Sequence, residues 1–421
     1  LRVICDAQGV LMRHWVVLSG AVSLAACGGS TAPQSVGSSA PPASTPTATH
    51  SFVNPTEVKT YEGIGAVQHY EYKTDSRIGA QSGQLYAGDA NTVRDSGISL
   101  SYNPRDAIFE LTINRPLGLV GVSNFRFQDP AHRTDFGGAR EPQAGVPNIE
   151  AIAPGRQIQY LETGSGSGSA LGAASPYFPG AYSPTGPNYT AGADQYSYEG
   201  RTFFYQKPGT TTKYVTYAGY VANRISAAQV QPDPAAPPYL EQTYSFDRAA
   251  FVFGERTGNS AVPRSGTATF SGDMLATMVF NPELDNVSGF PTYFQWIVGS
   301  QTSQINFATL GVTTNFTGTV TAPTLDAYTS WASVMPAGSQ FFAAATSTID
   351  LVNKGGFTGA FTSARFTRPG LADFNVVIAG SSIDGAFFGP AAEEIGGGFR
   401  IVGGTPDERI DIMGAFTGKQ P

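Results

Sequence analysis

The stretch from Ile383 to Gly418 constrains what this chain can fold into more than any other part of it. In its last run Ile410, Ile412, Gly414 and Phe416 alternate with Asp411, Met413, Ala415 and Thr417, the period of two of a strand with one buried face. Gly385, Gly397 and Gly414 each lie two residues before an aromatic, Phe387, Phe399 and Phe416. Glycine weakens a strand unless the backbone must bend sharply or admit a large neighbour. The spacing therefore predicts a tightly curved, closed sheet, with breaks between strands at Gly389-Pro390 and at residues 403–409.

Short runs of the same kind recur upstream with turn residues between them. They include Phe251, Gly266 to Ser271, Ala276 to Phe280, Tyr293 to Val298, Ile305 to Leu310, Phe316 to Val320, Gln340 to Thr346, Gly356 to Arg365 and Phe374 to Ile378. With the closing strands they predict an antiparallel up-and-down β-barrel of about eight strands over residues 248–421. Patterning alone leaves a β-sandwich open. A membrane-spanning barrel is disfavoured because the runs look shorter than the roughly 9–11 residues a bilayer requires.

Residues 51–247 predict an N-terminal antiparallel β domain with long loops, which makes the whole chain all-β. Phe109, Leu111 and Ile113 form the apolar side of a half-buried strand. Arg201 to Gln206 and Lys213 to Tyr220 flank Pro208-Gly209 as a hairpin. Gly164 to Gly172, nearly all Gly and Ser, reads as a loop, and Gln231 to Pro238 as the boundary between domains. A second loop, Tyr177 to Tyr198, sets aromatic residues among Pro and Gly. Within it Tyr177, Phe178, Tyr182 and Tyr189 are the candidate ligand-binding residues, because Tyr in such a loop offers large contact area with few rotamers to freeze.

The chain's start carries processing signals. Met12-Arg13-His14 is a positive n-region, Trp15 to Ser23 an apolar core, and Leu24-Ala25-Ala26-Cys27 a lipobox. Residues 1–26 read as a signal peptide, residues 1–11 as a start assigned too early, and Cys27 as the lipid-bearing N-terminus of the mature lipoprotein. Residues 27–50, without Asp, Glu, Lys or Arg, form a tether. Gly28 in place of an aspartate favours the outer membrane over retention in the inner one. The other cysteine, Cys5, precedes the signal, so the folded part holds no disulfide.

Net charge of −7 with only 14% charged residues argues against nucleic acid, which demands a basic stripe. His50, His69 and His132 are far apart and read as surface or loop histidines; no metal or catalytic spacing and no cofactor motif occurs. Glu393 and Glu394 read as turn acids that cannot share a proton. The expectation is a binding protein, not an enzyme.

Gly385-Ala-Phe-Phe-Gly-Pro390, Glu394-Ile-Gly-Gly-Gly-Phe399 and Gly414-Ala-Phe416 resemble the closing strands of the barrel in the transferrin-binding protein B family of bacterial surface lipoproteins. Phe251-Val-Phe-Gly-Glu-Arg-Thr257 and Pro263-Arg-Ser-Gly-Thr-Ala-Thr-Phe-Ser-Gly272 are similar to its opening strands. The resemblance implies that the N-terminal β domain is a handle packed on the barrel. It also implies iron acquisition at the cell surface: an iron-carrying protein or solute is held and passed to a TonB-dependent receptor. Export would use a surface lipoprotein assembly modulator of the outer membrane. The family has two handle-and-barrel lobes where this chain has length and motifs for one, a departure that weakens transferrin itself as the ligand. A haem or small-solute carrier and a structural lipoprotein without ligand are the other classes.

Overall fold

The computed structural model describes residues 51–75, 90–93, 97–114, 123–128, 145–168, 196–281, 293–322, 335–403 and 409–421. Within them the N-terminal strands are β1 (Lys59–Glu62), β2 (Ile64–Asp75), β3 (Ala90–Val93), β4 (Ile98–Asn103), β5 (Ile108–Ile113), β6 (Ser123–Gln128), β7 (Ile158–Gly168), β8 (Tyr196–Gln206), β9 (Val215–Val230) and β10 (Tyr239–Gly254). They form two antiparallel sheets, ordered β1-β4-β5-β6 and β3-β2-β10-β9-β8-β7. In β5 the expected alternation holds, with Phe109, Leu111 and Ile113 buried and Glu110 exposed. These side chains meet the six-stranded sheet through aromatic contacts, Phe109 with Tyr205 at 5.1 Å and Phe125 stacked on Tyr220 at 5.0 Å. A four-residue helix, α1 (Ile149–Ile152), precedes β7.

The predicted hairpin is β8–β9, whose turn has Gly209 at φ 89°, a conformation glycine adopts without strain. Two expectations change. Gly164 to Gly168 is the end of β7, paired residue by residue with β8 from Gly200 to Tyr196, because an edge strand needs only backbone hydrogen bonds and β8 supplies them. Gln231 to Pro238 is the turn between β9 and β10, and β10 continues in the six-stranded sheet to Gly254. Phe251 therefore belongs to that sheet, and the change to the barrel comes after Gly254, beyond the expected boundary at 247/248.

The barrel consists of β11 (Thr267–Asn281), β12 (Tyr293–Asn306), β13 (Gly311–Val320), β14 (Gln340–Asp350), β15 (Gly356–Thr367), β17 (Ile378–Phe388), β18 (Glu394–Gly403) and β19 (Arg409–Lys419), with the two-residue β16 (Phe374–Asn375) beside β15. Each pairs with its neighbour in sequence, β19 pairs with β11, and β14 pairs with β15, so the eight strands close. The sandwich alternative is thereby excluded. The separate runs expected at Gly266 to Ser271 and Ala276 to Phe280 are one strand, and Phe307 to Leu310 is a turn where a strand was expected.

The interior is a packed core. Phe316 contacts Phe361, Phe399 and Phe416 at 5.6, 4.9 and 5.5 Å, and Phe357 contacts Phe387 at 5.9 Å. The glycine pattern has its reason here: Phe357 lies against Gly385 and Phe399 against Gly414, where a Cβ would collide with the ring. The strands run to 10–15 residues, longer than expected and long enough to cross a bilayer. Their polarity is nevertheless the reverse of a lipid-facing barrel. Along β13 Val312, Phe316 and Val320 point inward, and Thr313, Asn315 and Thr317 are exposed outside.

In β19 both faces are buried, not one. Ile410, Ile412 and Phe416 face the barrel interior, whereas Ala415 joins a second apolar layer with Val215, Val252 and Phe204 of the six-stranded sheet. The sheet thus lies across the outside of the barrel. At the crossing Gly398 sits directly on Gly65, an approach of backbones that side chains would prevent.

Candidate functional site

The barrel's hairpins differ in length at its two ends. Residues 307–310, 351–355 and 389–393 are tight turns at one end; the strand ends that flank residues 282–292, 321–339, 368–377 and 404–408 lie at the other. Loops on a rigid strand scaffold vary without disturbing the core, which makes the long-loop end the candidate for recognition.

The stem of the 321–339 connection is fixed by Gln295, a fully buried residue of β12. Its Nε2 donates to the carbonyls of Thr321 (3.0 Å) and Met335 (2.8 Å), and its Oε1 accepts from the Met335 amide at 3.1 Å. One residue on, Trp296 points outward; its indole nitrogen donates to the Gly145 carbonyl at 2.8 Å, and its ring meets Phe204 edge-on at 5.7 Å. The loop stem and the six-stranded sheet are therefore attached to adjacent residues of one strand.

Beside them Arg248 of β10 is wholly buried. Its guanidinium donates to the carbonyls of Ala222 (3.1 Å) and Asp247 (2.8 Å) and to Asn223 Oδ1 (2.9 Å), and lies 5.0 Å from the Phe294 ring of the barrel. Burial pulls its pKa down to about 9, opposed by the charge of Asp247. On the sheet's opposite face Asp247 accepts from Arg224 at 2.9 Å and bonds His69 Nδ1 at 2.8 Å. His69 is thus a mostly covered strand residue, not the surface or loop histidine expected.

Past Arg248 the six-stranded sheet runs on. Its register sets Tyr72, Tyr244, Ile225 and Tyr198 in one row across β2, β10, β9 and β8, with Tyr70 opposite Phe246 and Tyr196 opposite Ala227 in the rows on either side.

The candidate residues Tyr177, Phe178, Tyr182 and Tyr189 lie outside the described residues, as does Cys27. The segment that carries the four tyrosine-loop candidates starts and ends at Gly168 and Tyr196, which are paired at the tip of this sheet. Among the described residues no group of three or more His, Cys, Asp or Glu is placed to hold a metal. Glu394 is not a turn acid: it opens β18, buried, and accepts from the amides of Lys213, Tyr214 and Val215 at 2.6, 2.7 and 3.1 Å. Burial raises its pKa, opposed by those three donors. Glu393 is a turn acid, accepting from the Ala391 amide. Sequence reasoning also missed Gln295, Trp296 and Arg248. For Arg248 a signal existed, a charged pair Asp247-Arg248 inside the otherwise apolar run from Phe246 to Phe253.

A closed eight-stranded barrel carrying an antiparallel sheet handle on its outer wall defines a handle-and-barrel protein. Residues 262–420 match the family model for the C-lobe and N-lobe β-barrels of Tf-binding protein B. The barrel of this chain is thus transferrin-binding protein B-like. Among solved structures, a transferrin-binding protein B variant from Haemophilus parasuis is 13% identical, with 87% of this chain and 78% of that one covered and a TM-score of 0.29. Isotype 1 transferrin-binding protein B from serogroup B Neisseria meningitidis is 12% identical, covering 87% and 77%, at a TM-score of 0.22. At such scores these superpositions add nothing to the strand pairings. No curated protein sequence matches the chain.

Proposed function

We propose that this chain is a lipid-anchored, surface-exposed protein of the outer membrane that captures an iron-carrying protein or solute and presents it to a TonB-dependent receptor. Cys27 carries the lipid, and a surface lipoprotein assembly modulator exports the chain. The observation that carries this reading is the match of residues 262–420 to the barrel of a transferrin-binding family. The geometry supports an external binding face over a carrier cavity in the barrel, because Phe316, Phe361, Phe399 and Phe416 fill the interior with rings in contact. Tyr177, Phe178, Tyr182 and Tyr189 are the proposed capture residues.

The test uses the full chain bearing Cys27→Ser, immobilised and exposed in turn to iron-loaded transferrin, iron-free transferrin and haem. Saturable binding of iron-loaded transferrin, weakened at least tenfold by changing the four loop aromatics to Ala, supports capture of an iron-carrying protein despite the single lobe. Saturable binding of haem with a Soret band, and none of transferrin, replaces this reading with the solute carrier. No saturable binding of any of the three leaves a structural lipoprotein.

A further inference from the structure

We infer that the tight-turn end is a membrane-facing surface, docking on the anionic headgroups of the bilayer in which the N-terminus is anchored. The inference rests on the lipid-anchored reading above, and three independent features of the described residues converge on it.

The first is the point of entry. The chain joins the fold through Phe52, packed between Tyr61 (5.4 Å) and Phe253 (5.7 Å), and Val53, whose side chain lies against Gly209 in the β8–β9 turn. That turn belongs to the tight-turn end: Glu394, next to the 389–393 turn, holds the amides of Lys213 to Val215, and Glu255 links the Tyr214 carbonyl to the Gly389 amide. Ser51, the first described residue, therefore lies at this end, opposite the strand ends that flank the long connections.

The second is charge. Although the chain carries −7 overall, five of its six lysines are here, Lys59, Lys207, Lys213, Lys354 and Lys419, joined by the exposed Arg264. The carboxylates of this end are mostly engaged: Glu255 with Lys59, Glu62 with Arg256, Glu394 and Glu393 with backbone amides, and Asp350 with the amides of Val352 and Asn353. Only Glu57 stands exposed without such a bond among the described residues. Lys213, Lys354, Lys419 and Arg264 make no ion pair among them either, which leaves cationic groups facing outward.

The third is apolar exposure. Val352, at the tip of the β14–β15 turn, is 79% exposed, and Leu310, in the neighbouring β12–β13 turn, is 44% exposed. The turns are tied together, since the Ile349 amide donates to the Leu310 carbonyl at 2.8 Å. Apolar tips flanked by cations match a bilayer surface, where side chains of this kind reach the headgroup boundary and each nearby Lys or Arg strengthens partition several-fold.

The full chain with Cys27→Ser isolates this surface from the lipid anchor. Co-sedimentation with phosphatidylglycerol-containing vesicles should exceed that with phosphatidylcholine vesicles at least tenfold and collapse at high salt. Arg264→Glu with Lys354→Glu and Lys419→Glu should lower it at least tenfold with the thermal transition retained. Val352→Asp should lower it several-fold, and Lys73→Glu, on the far end of the sheet, should leave it unchanged. No preference for anionic vesicles, equal binding by the triple variant, or equal loss with Lys73→Glu overturns the inference, as does a salt-stable dimer formed through this end. Loss of detergent partitioning on Cys27→Ser reports the anchor separately, so an anchored chain that ignores vesicles refutes the surface alone.

Discussion

The barrel and the six-stranded sheet are made of similar strands, and they treat their edges in opposite ways. In the barrel β14 meets β15, and each of the eight strands has a neighbour on both sides. Among the described residues the six-stranded sheet ends at β3 and β7, and β7 runs to Gly164-Ser-Gly-Ser-Gly168. Closure gives each strand a partner on both sides and fixes strand length to the core enclosed. An open sheet is free to outrun its cover: β9 and β10 are 16 residues each, whereas among the described residues no strand of the four-stranded sheet exceeds 6. The barrel is thus the rigid part, and the sheet the part that can project a face.

The harshest test of that contrast removes residues 410–418. β11 and β18 would both become edges, and the interior would lose Ile410, Ile412 and Phe416. The barrel's cooperative transition should disappear, with aggregation or a collapse of β circular dichroism. A truncated chain that melts where the intact one does would show that closure is not what holds the barrel.

Single core residues sharpen the comparison. Phe316→Ala empties the centre of the barrel and Phe109→Ala the core between the two N-terminal sheets, and each should cost about 3–5 kcal/mol in chemical denaturation. If the apolar layer between sheet and barrel couples them, both variants lower one shared transition. Two transitions, each moved by only its own variant, would make them independent folding units.

Arg248 examines the seam itself. Arg248→Ala removes the stack on Phe294 and leaves Asn223 Oδ1 and the Ala222 carbonyl without that donor, a loss of about 2–4 kcal/mol. Arg248→Met keeps the volume and discards a buried charge, so it should cost under half as much. Equal losses in the two variants would mean that the cation itself, not the packing, joins sheet to barrel.

Much of the barrel was legible in the sequence because its signal is local. Gly385 and Gly414 announce the rings they accommodate, and the closing alternation of Ile410 to Thr417 is strict. The burial of Asp411, Met413 and Ala415 was not legible, because it comes from the sheet lying over β19 and no periodicity within β19 records what covers its outer face. The same holds for the site. Glu394 looked like a turn acid until the amides of a turn some 180 positions earlier arrived to bind it. The Gly-Ser run of β7 failed for another reason: an edge strand is specified by its partner's backbone, which leaves its own side chains silent.

The smallest expected effect is also the one whose sign is most diagnostic. Tyr160, on the sheet side of the seam, donates to the Pro147 carbonyl at 3.0 Å, and burial pushes its pKa up to about 12. An unfolded tyrosine ionises near 10, so the folded state holds this proton where the unfolded chain has already lost it. The stabilisation is complete below about pH 10 and is lost as pH rises through the folded value of about 12. At pH 8, Tyr160→Phe should therefore cost about 1 kcal/mol, the hydrogen bond with its orphaned carbonyl. At pH 11 the native tyrosine has given up about 1.4 kcal/mol that phenylalanine never had to lose, so the two chains should be nearly equal in stability. Urea midpoints at the two pH values measure the gap. A gap that stays constant would mean that Tyr160 reaches solvent, and that the seam between the open sheet and the closed barrel is less tightly packed than the contacts of Tyr160 with Phe204 require.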